Sequence, residues 1–229
     1  MPRIEALRKI PLFAGLADAE LEALGGCLVK RTFGKGVFIF HKDSPGQALY
    51  LIETGRVRIF IISESGQEIS LNVYGPGEIV GELGFLDGRP RSASAVAMEP
   101  TITQALRREE FIGRLEACPR LAVHLLEILA SRLRYTTAYA EGLAFLDVNG
   151  RVAARLLELA DRFGARSPDG CGQELDLHLT QAELASWVAS SRETVNKALT
   201  GFREQGLIEL AGQKITVLDR QGLWQKVAY

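Results

Sequence analysis

The sequence predicts an α+β protein with an N-terminal antiparallel β-roll, one long helix and a C-terminal winged helix-turn-helix domain. Short apolar runs alternate with turn residues about once every ten positions over residues 29–106, which is typical of an antiparallel sandwich or jelly roll. A helical period follows, and two short helices with a hairpin come last. We therefore expect three parts, residues 1–118, 119–146 and 147–229.

The composition excludes several classes of protein. With 47% hydrophobic and 24% charged residues among 229, the chain is globular rather than disordered. No stretch approaches the roughly 18 consecutive apolar residues of a membrane span, and the charged first residues do not form a signal peptide, so we expect a cytoplasmic protein with no membrane partner. The three cysteines and three histidines are scattered, which predicts neither a disulfide framework nor a metal site.

The long helix, predicted between Pro119 and Phe145, carries a heptad repeat. Its seam positions alternate steps of four and three and are Ala122, Leu126, Leu129, Leu133, Thr136, Ala140 and Leu143. Such a seam could pack on the protein's own β-domain, but a repeat of about three heptads more often meets a partner helix, so we favour a parallel homodimer through residues 119–146. Thr136 interrupts the apolar seam and is followed by Thr137, which indicates that something polar lies there.

The C-terminal part shows the element order of a winged helix-turn-helix. The elements expected are a helix over residues 148–163, a polar loop over 166–173, a strand over 174–179, a helix from 180 to about 188, a second helix to about 205 and a hairpin over 206–218. Asp147 is the predicted N-cap of the first helix. Thr180 and Glu183 form a predicted capping box at the start of the next one.

The densest chemical signal lies over residues 75–93. Gly81 and Gly84 would let backbone amides approach an anion closely, and Arg91 with Ser92 adds a guanidinium and a hydroxyl. This combination suits a phosphodiester, whereas an ionised Glu82 can only accept hydrogen bonds and suits a sugar hydroxyl. The alternative is that Glu82 and Arg91 form a surface ion pair and that the glycines serve hairpin geometry.

This segment and the end of the long helix resemble the CRP/FNR family of bacterial regulators, in its cyclic-AMP receptor branch. The family's phosphate-binding cassette is matched by Gly81-Glu82-Leu83-Gly84 and by Arg91-Ser92-Ala93, and residues 143–148 match the end of its dimer helix. The resemblance extends over residues 12–218.

The resemblance implies a cyclic-nucleotide site with cyclic AMP as an allosteric effector rather than a catalytic cofactor. The residues that would bind it are Gly81, Glu82, Leu83, Arg91, Ser92, Thr136 and Thr137. Glu82 would accept from the ribose 2′-hydroxyl, while Arg91, Ser92 and the amide near Leu83 would hold the cyclic phosphate. The two threonines would contact adenine, one from each subunit. Arg89 is a rival for the phosphate, although the Arg-Ser-Ala match favours Arg91.

The second helix of the helix-turn-helix carries the candidate DNA-binding residues. Val195, Leu199 and Phe202 repeat at steps of four and three, so we expect them to face the core. A net charge of −1 leaves no basic domain, and a DNA partner therefore has to rest on this local arrangement. The candidates are Thr180, Ser191, Arg192, Glu193, Thr194, Asn196 and Lys197.

Arg192 and Glu193 suit a DNA major groove, because arginine bonds guanine bidentately and a carboxylate accepts from cytosine. The alternative is that Glu193 forms a capping box with Ser190 and that Arg192 is a solvated helix residue. The run Ser191-Arg192-Glu193-Thr194-Val195 resembles the same family, which implies that Arg192, Glu193 and Lys197 read a TGTGA-like half-site.

The remaining candidates position the protein rather than read bases. Thr180, Ser191 and Thr194 are expected to contact DNA phosphates. The chain departs from the family pattern twice, because Lys197 stands where many relatives carry arginine and Ala189 where many carry glycine. Lysine lacks the guanidinium fork, so base selectivity there would be looser.

The resemblance implies a transcription regulator that binds a palindromic double-stranded DNA operator as a homodimer, responds to cyclic AMP and works with RNA polymerase. Two alternatives stay open. One keeps the DNA-binding function with another effector, such as cyclic GMP or a cyclic dinucleotide, or with none; the other is a cyclic-nucleotide-binding module that regulates an enzyme or channel. The sequence shows no nucleophile-base pair and no metal cluster, so neither enzymatic activity nor a metal is expected.

Overall fold

A computed structural model describes residues 7–8, 10–167, 170, 172–175, 180–212 and 214–227. They divide into two compact units. Unit 1 contains the described residues up to Ile62 together with Leu71–Arg134, and unit 2 contains Ser63–Ser70 together with the described residues from Tyr135 onward. The division therefore falls inside the longest helix.

The secondary structure follows the predicted order of a β-roll, a long helix and a mixed C-terminal part. The strands before the long helix are β1 (Val29–Phe33), β2 (Phe38–Phe40), β3 (Ala48–Thr54), β4 (Val57–Ile62), β5 (Glu68–Tyr74), β6 (Ile79–Val80), β7 (Ser94–Ala97) and β8 (Thr101–Arg107). The helices up to and including the long one are a 3-10 helix (Pro11–Phe13), α1 (Asp18–Cys27), α2 (Glu82–Asp87), α3 (Arg108–Ala117) and α4 (Pro119–Phe145). The later elements are α5 (Val148–Phe163), β9 (Gly164–Arg166), β10 (Gln173–Leu175), α6 (Gln181–Trp187), α7 (Arg192–Glu204), β11 (Ile208–Ala211), β12 (Lys214–Val217) and α8 (Arg220–Val227).

The strands of the roll form two four-stranded sheets with the orders β1-β8-β3-β6 and β2-β7-β4-β5. Strand β8 pairs antiparallel with both β1 and β3, and β7 pairs antiparallel with both β2 and β4. Leu49 and Leu51 on β3 are fully buried while Tyr50 between them is half-buried, because successive side chains of a strand point to opposite faces. These strands confirm the predicted β-roll.

Helices close the roll through a shared apolar core. Phe85 on α2 packs against Phe111 on α3 with ring centroids 5.2 Å apart, and Leu121 at the start of α4 belongs to the same buried cluster. Leu49 and Leu51 of β3 belong to this cluster too, so removing its side chains from water attaches α2 and α3 to the sheets. The short helix α2 is thereby fixed at its position between β6 and β7.

Two helix starts in unit 2, those of α5 and α6, are capped as the sequence predicts. The Asp147 carboxylate accepts from the backbone N–H of Gly150 at 2.7 Å. The Thr180 hydroxyl accepts from the N–H of Glu183 at 3.1 Å, and the Glu183 carboxylate accepts from the N–H of Thr180 at 2.8 Å, which is the reciprocal capping box. Helices α6 and α7 form the helix-turn-helix, and the β11–β12 hairpin forms the wing within the sheet β11-β12-β10-β9.

Two details of this part differ from the prediction. Arg166 and Gln173, expected at the ends of a polar loop, belong to strands, because the backbone of β9 pairs antiparallel with that of β10. The strand expected over residues 174–179 begins at Gln173 and is described to Leu175, and residues 176–179 lie outside the described residues. Gln213, in the predicted turn of the wing, also lies outside them. Within the described ranges, no helix has the length and apolar character that a membrane crossing needs.

Candidate functional site

Glycines bring the backbone of the cassette close to other groups. Gly81 follows β6, is the N-cap of α2 and has a φ of +85°, a conformation that favours glycine. A Cβ at this position would also lie 3.1 Å from both Cζ of Arg91 and Cε1 of Phe40. A Cβ on Gly84 would lie 2.6 Å from the carbonyl oxygen of Arg89. Both glycines are therefore required by close packing around the cassette.

The guanidinium of Arg91 lies inside unit 1, where only 3% of the residue is exposed. Its Nη1 donates to the carbonyl oxygen of Gly81 and its Nη2 to that of Ala48, and it stacks over the Phe40 ring, 4.4 Å from the centroid. Its Nε is enclosed and has no hydrogen-bond partner among the described residues. Burial lowers the pKa of Arg91. An anion that accepts from Nε would satisfy this donor and stabilise the charge.

Glu82 is buried as well, with 7% exposed, and its carboxylate forms an ion pair with Arg132 of α4. Arg132 also donates to the carbonyl oxygen of Ile79 and stacks over the Tyr74 ring, 4.2 Å from the centroid. Burial acts to lower the pKa of Arg132, but the neighbouring Glu82 carboxylate and other groups outweigh it, and the net shift is upward. The surface ion pair between Glu82 and Arg91 is therefore wrong, because both residues are buried and the carboxylate pairs with another arginine.

Arg132 is not among the ligand-site residues predicted from the sequence. This residue lies four positions before Thr136, and residues at that spacing project from the same face of a helix, one turn apart. The sequence did contain a signal for it, because Arg132 is a cation on the same helical face as Thr136, the polar residue of the seam. Arg132 ties the long helix to the cassette within unit 1.

The other predicted ligand residues are more exposed. Leu83 is 50% exposed, and Ser92 lies at the surface next to the buried Arg91. The side chain of Arg89 is 84% exposed, so it lies outside the buried pocket that holds the Arg91 guanidinium. Thr136 and Thr137 are exposed residues of α4 and belong to unit 2. Unit 1 thus brings Glu82 and Arg91 into its interior without the threonines.

Ser191 is the residue that caps α7. Its hydroxyl accepts from the backbone N–H of Thr194 at 3.2 Å. Because the N-cap is Ser191 rather than Ser190, the N3 position of a capping box is occupied by Thr194 and not by Glu193. The alternative in which Glu193 serves that capping box is therefore wrong.

Helix α7 buries the predicted face and exposes most of the candidate DNA-binding residues. Val195, Leu199 and Phe202 are each at most 3% exposed. The exposed candidates are Thr180, Ser191, Arg192, Glu193, Thr194 and Lys197. Asn196, expected to face solvent, is half-buried, and its Oδ1 is enclosed with no hydrogen-bond partner in the described part of the chain.

The turn between α6 and α7 contains Ala189 in a left-handed conformation, with a φ of +48°. A non-glycine residue there is disfavoured by roughly 1–2 kcal/mol, because its Cβ comes too close to the following carbonyl oxygen. The turn therefore has the left-handed geometry that favours glycine, although alanine occupies the position where many relatives carry glycine.

Two protein-family models match this chain, one over the region that contains the cassette and one over the region that contains the helix-turn-helix. Residues 30–117 match the cyclic nucleotide-binding domain, and residues 150–226 match the Crp-like helix-turn-helix domain. The chain is 36% identical, over 219 residues, to the CRP-like cAMP-activated global transcriptional regulator of Mycobacterium tuberculosis, covering 96% of this chain and 97% of that one. The chain belongs to the CRP/FNR family of transcription regulators.

Solved structures agree with the fold of this CRP/FNR regulator. The crystal structure of the Thermus thermophilus catabolite activator protein is 37% identical and aligns over 95% of this chain and 98% of that one, with a TM-score of 0.54. The structure of FixK2 from Bradyrhizobium japonicum is 22% identical and aligns over 88% and 98% with a TM-score of 0.78, which shows the likeness of the fold alone.

The regulator therefore combines a cyclic-nucleotide-binding domain with a helix-turn-helix domain that binds DNA. The buried pair of Glu82 and Arg132 and the buried Arg91 lie in the first domain or on the helix that follows it, and Arg192 lies in the second. The predicted family and fold class are confirmed, and the family is one of transcription regulators, not of enzymes.

Proposed function

We propose that cyclic AMP binds the cassette of this CRP/FNR regulator and controls its DNA binding. The observation that carries the proposal is the buried guanidinium of Arg91, whose Nε has no partner among the described residues. A cyclic phosphate supplies the missing acceptor together with a negative charge. The hydroxyl of Ser92 and the backbone amides near Gly81 and Leu83 provide the remaining phosphate contacts. The Mycobacterium tuberculosis relative is described as cAMP-activated, which supports adenine as the base.

The sugar of the nucleotide would meet the buried pair of Glu82 and Arg132. A ribose 2′-hydroxyl donates to the Glu82 carboxylate, which already accepts from Arg132. A bound nucleotide therefore shares or displaces a contact made by α4, and this links occupancy of the cassette to the long helix. Thr136, one turn further along α4, and Thr137 of a second subunit contact adenine in this proposal.

Calorimetric titration with cyclic AMP tests the ligand and the cassette. We expect Arg91→Gln to weaken binding by at least about tenfold, because a charge-assisted hydrogen bond contributes about 1.5–3 kcal/mol. Arg89→Gln is the matched control, since Arg89 carries the same group two residues away with its side chain 84% exposed. Equal losses in both variants contradict the role of Arg91, and tighter binding of cyclic GMP contradicts the choice of nucleotide.

The exposed apolar residues of α4 support a homodimer. Leu126 is 64% exposed and Leu133 is 68% exposed, and both occupy seam positions of the heptad repeat. Burying these side chains against the same seam of a second copy removes them from water. Leu133→Glu should therefore shift the protein towards a monomer in analytical ultracentrifugation. Ser131→Glu adds the same charge on the opposite face of the helix and should leave the dimer intact.

The exposed start of α7 supports reading of a palindromic operator. The exposed side of the helix start carries Arg192, Glu193 and Lys197, which can enter a major groove. In this proposal Ser191 and Thr194 contact phosphates. A two-fold dimer places its two recognition helices about 34 Å apart, so the operator should contain two TGTGA-like half-sites at that separation. The regulator bound there would act on RNA polymerase.

Binding to a library of half-site variants, with and without cyclic AMP, tests this proposal. Arg192→Ala should cost about 1–3 kcal/mol and relax the preference at one base position in each half-site. Arg203→Ala, an exposed residue in the last turn of the same helix, is the matched control and should leave base preference unchanged. A uniform loss for Arg192→Ala across all sequences would show a phosphate contact instead. Equal DNA affinity with and without cyclic AMP would refute the allosteric part.

A further inference from the structure

A cavity of about 360 Å³ lies within unit 2, between the last turns of α4 and the helix α5. The residues that matter for its chemistry are Tyr135, Tyr139, Gly142, Arg151, Arg155 and Trp187. Ala138 and Leu146 of α4 add apolar surface to its wall. The size is that of pockets that hold small organic molecules. None of the cassette residues of unit 1 contributes to it.

Arg155 lies in this wall inside a cage of three aromatic rings. It is 5% exposed, and its Cζ lies 5.9 Å from the ring centroid of Tyr135, 5.5 Å from that of Tyr139 and 5.2 Å from that of Trp187. Its Nη1 donates to the Tyr135 hydroxyl and to the Glu158 carboxylate. Aromatic faces and a carboxylate hold the guanidinium in one orientation.

Several donors in the cavity wall lack an acceptor. Nη2 of Arg155, Nε of Arg151 and Nε1 of Trp187 are enclosed and have no hydrogen-bond partner in the described part of the chain. Trp187 is only 1% exposed. A buried donor without a partner is unfavourable because it has lost its hydrogen bonds to water, and all three of these groups can only donate. Oε1 of Glu158 is an enclosed acceptor of the same wall without a hydrogen-bond partner among the described residues, so unpartnered donors outnumber unpartnered acceptors by three to one.

The wall of the cavity carries charges of both signs. The Glu158 carboxylate is shared, because it pairs with Arg155 at 2.6 Å and with Arg162 at 3.5 Å. Arg151 adds a guanidinium and Glu141 a second carboxylate at the wall. Arg162 does not line the cavity, so the charged residues of its wall are two arginines and two glutamates. The preference for an anion therefore comes from the donors without a partner.

We propose that this cavity is a second effector site, which binds a small organic carboxylate with an aromatic body. The carboxylate accepts from Nη2 of Arg155 and Nε1 of Trp187, and the ring fills the apolar space beside Tyr139 and Gly142. This site is separate from the cassette and does not rest on the choice of cyclic AMP as its ligand. An acid bound here contacts both α4 and α5, and so fixes the joint between these two helices.

Fluorescence of Trp187 provides a direct assay in the full-length protein. The chain has two tryptophans, and Trp224→Phe removes the second one, which is 62% exposed and does not line the cavity. Phenylacetate should change the Trp187 emission with a saturable dose dependence. Acetate lacks the ring and benzyl alcohol lacks the charge, and each should bind at least about tenfold more weakly. No saturable change with phenylacetate would overturn the proposal.

Filling the cavity tests whether this is the place of binding. Gly142→Leu puts a side chain into the space, because a Cβ there meets nothing closer than Leu146 at 3.7 Å, and should abolish phenylacetate binding. Gly113→Leu is the matched control: Gly113 is an exposed glycine within α3, has no atom within 4 Å of a built Cβ, and its replacement should not affect binding. Ala154→Leu fills the space from the α5 side, which keeps the test decisive if Gly142→Leu does not fold.

The cassette offers the remaining control. Arg91→Gln removes the buried cation of unit 1 and should leave phenylacetate binding unchanged, whereas Arg155→Lys removes the guanidinium fork and should weaken it about tenfold. Loss of binding in Arg91→Gln with retention in Gly142→Leu would place the acid in the cassette and refute the second site.

Discussion

Replacing Gly81 by alanine should damage the cassette far more than the same change at Gly88. The two glycines flank helix α2, Gly81 as its N-cap with a φ of +85° and Gly88 as its C-cap with a φ of +72°. Alanine in the left-handed region costs about 1–2 kcal/mol, so this part of the penalty is shared by both variants. The two positions differ in what the added methyl group meets.

At Gly81 the methyl group meets the guanidinium of Arg91, with Cζ at 3.1 Å, whereas at Gly88 no atom of the described residues other than its chain neighbours lies within 4 Å. The guanidinium must move, and its hydrogen bond to the Gly81 carbonyl breaks. Losing one hydrogen bond of a charged group costs about 1.5–3 kcal/mol. Gly81→Ala should therefore lower stability by about 2.5–5 kcal/mol and Gly88→Ala by only about 1–2 kcal/mol.

Calorimetry with cyclic AMP separates the effect on binding from the effect on stability. Displacing Arg91 from the phosphate should weaken affinity about tenfold to a hundredfold in Gly81→Ala. Gly88→Ala leaves the guanidinium in place and should bind as the wild type does. Thermal unfolding of both variants, with circular dichroism to confirm that they fold, measures the stability difference. Equal affinities in the two variants would falsify the assignment of Arg91 as the cation of the cassette.

Three further predictions follow from buried or strained groups. Ala189→Gly should stabilise the protein by about 1 kcal/mol and raise its unfolding midpoint by about 2–4 °C, since it relieves the left-handed alanine; an unchanged midpoint would contradict this strain. A double-mutant cycle by urea unfolding tests the ion pair of Glu82 and Arg132. Glu82→Gln and Arg132→Met should each lower the free energy of unfolding by about 3 kcal/mol, because each leaves a buried charge without its partner. The loss in the double variant should be smaller than the sum of the two single losses by about 0.5–3 kcal/mol, and simple additivity would contradict the pair. Burial raises the pKa of Tyr135 to about 12, so the unfolded chain loses this proton near pH 10 while the folded one keeps it, and stability should fall between about pH 10 and 12. Tyr135→Phe should remove that part of the pH dependence.

Local patterns in the sequence were sufficient for the β-roll, for the caps of α5 and α6 and for the buried face of α7. The turn spacing predicted the β-roll, and the helix ends at Asp147 and Thr180 depend on hydrogen bonds between residues three positions apart. The buried face of α7 follows from the helical period in the same way. The caps and the buried helix face can be predicted from sequence because the interacting residues lie within a few positions of one another along the chain.

The chemistry of the cassette needed the tertiary structure. Glu82 and Arg132 are fifty positions apart, and no local pattern predicts that they form a buried ion pair. The sequence offered the surface pairing of Glu82 with Arg91 as an equally simple alternative. It was excluded by the burial of both groups, which results from the packing of α2 between the sheets and α3.

The N-cap of α7 and the cavity of unit 2 show the same division. Ser190 and Ser191 both fit the sequence pattern of an N-cap, and the backbone conformation of the folded chain makes Ser191 the N-cap. Arg155 appears in the sequence as one more charge on an amphipathic helix. Its enclosure by aromatic rings from α4 and α6 depends on how three helices pack, and that packing creates both the cavity and its unsatisfied donors. The sequence by itself determined the elements and the family resemblance, because those rest on short-range periodicity and motifs, whereas burial and long-range pairing were decided by the fold.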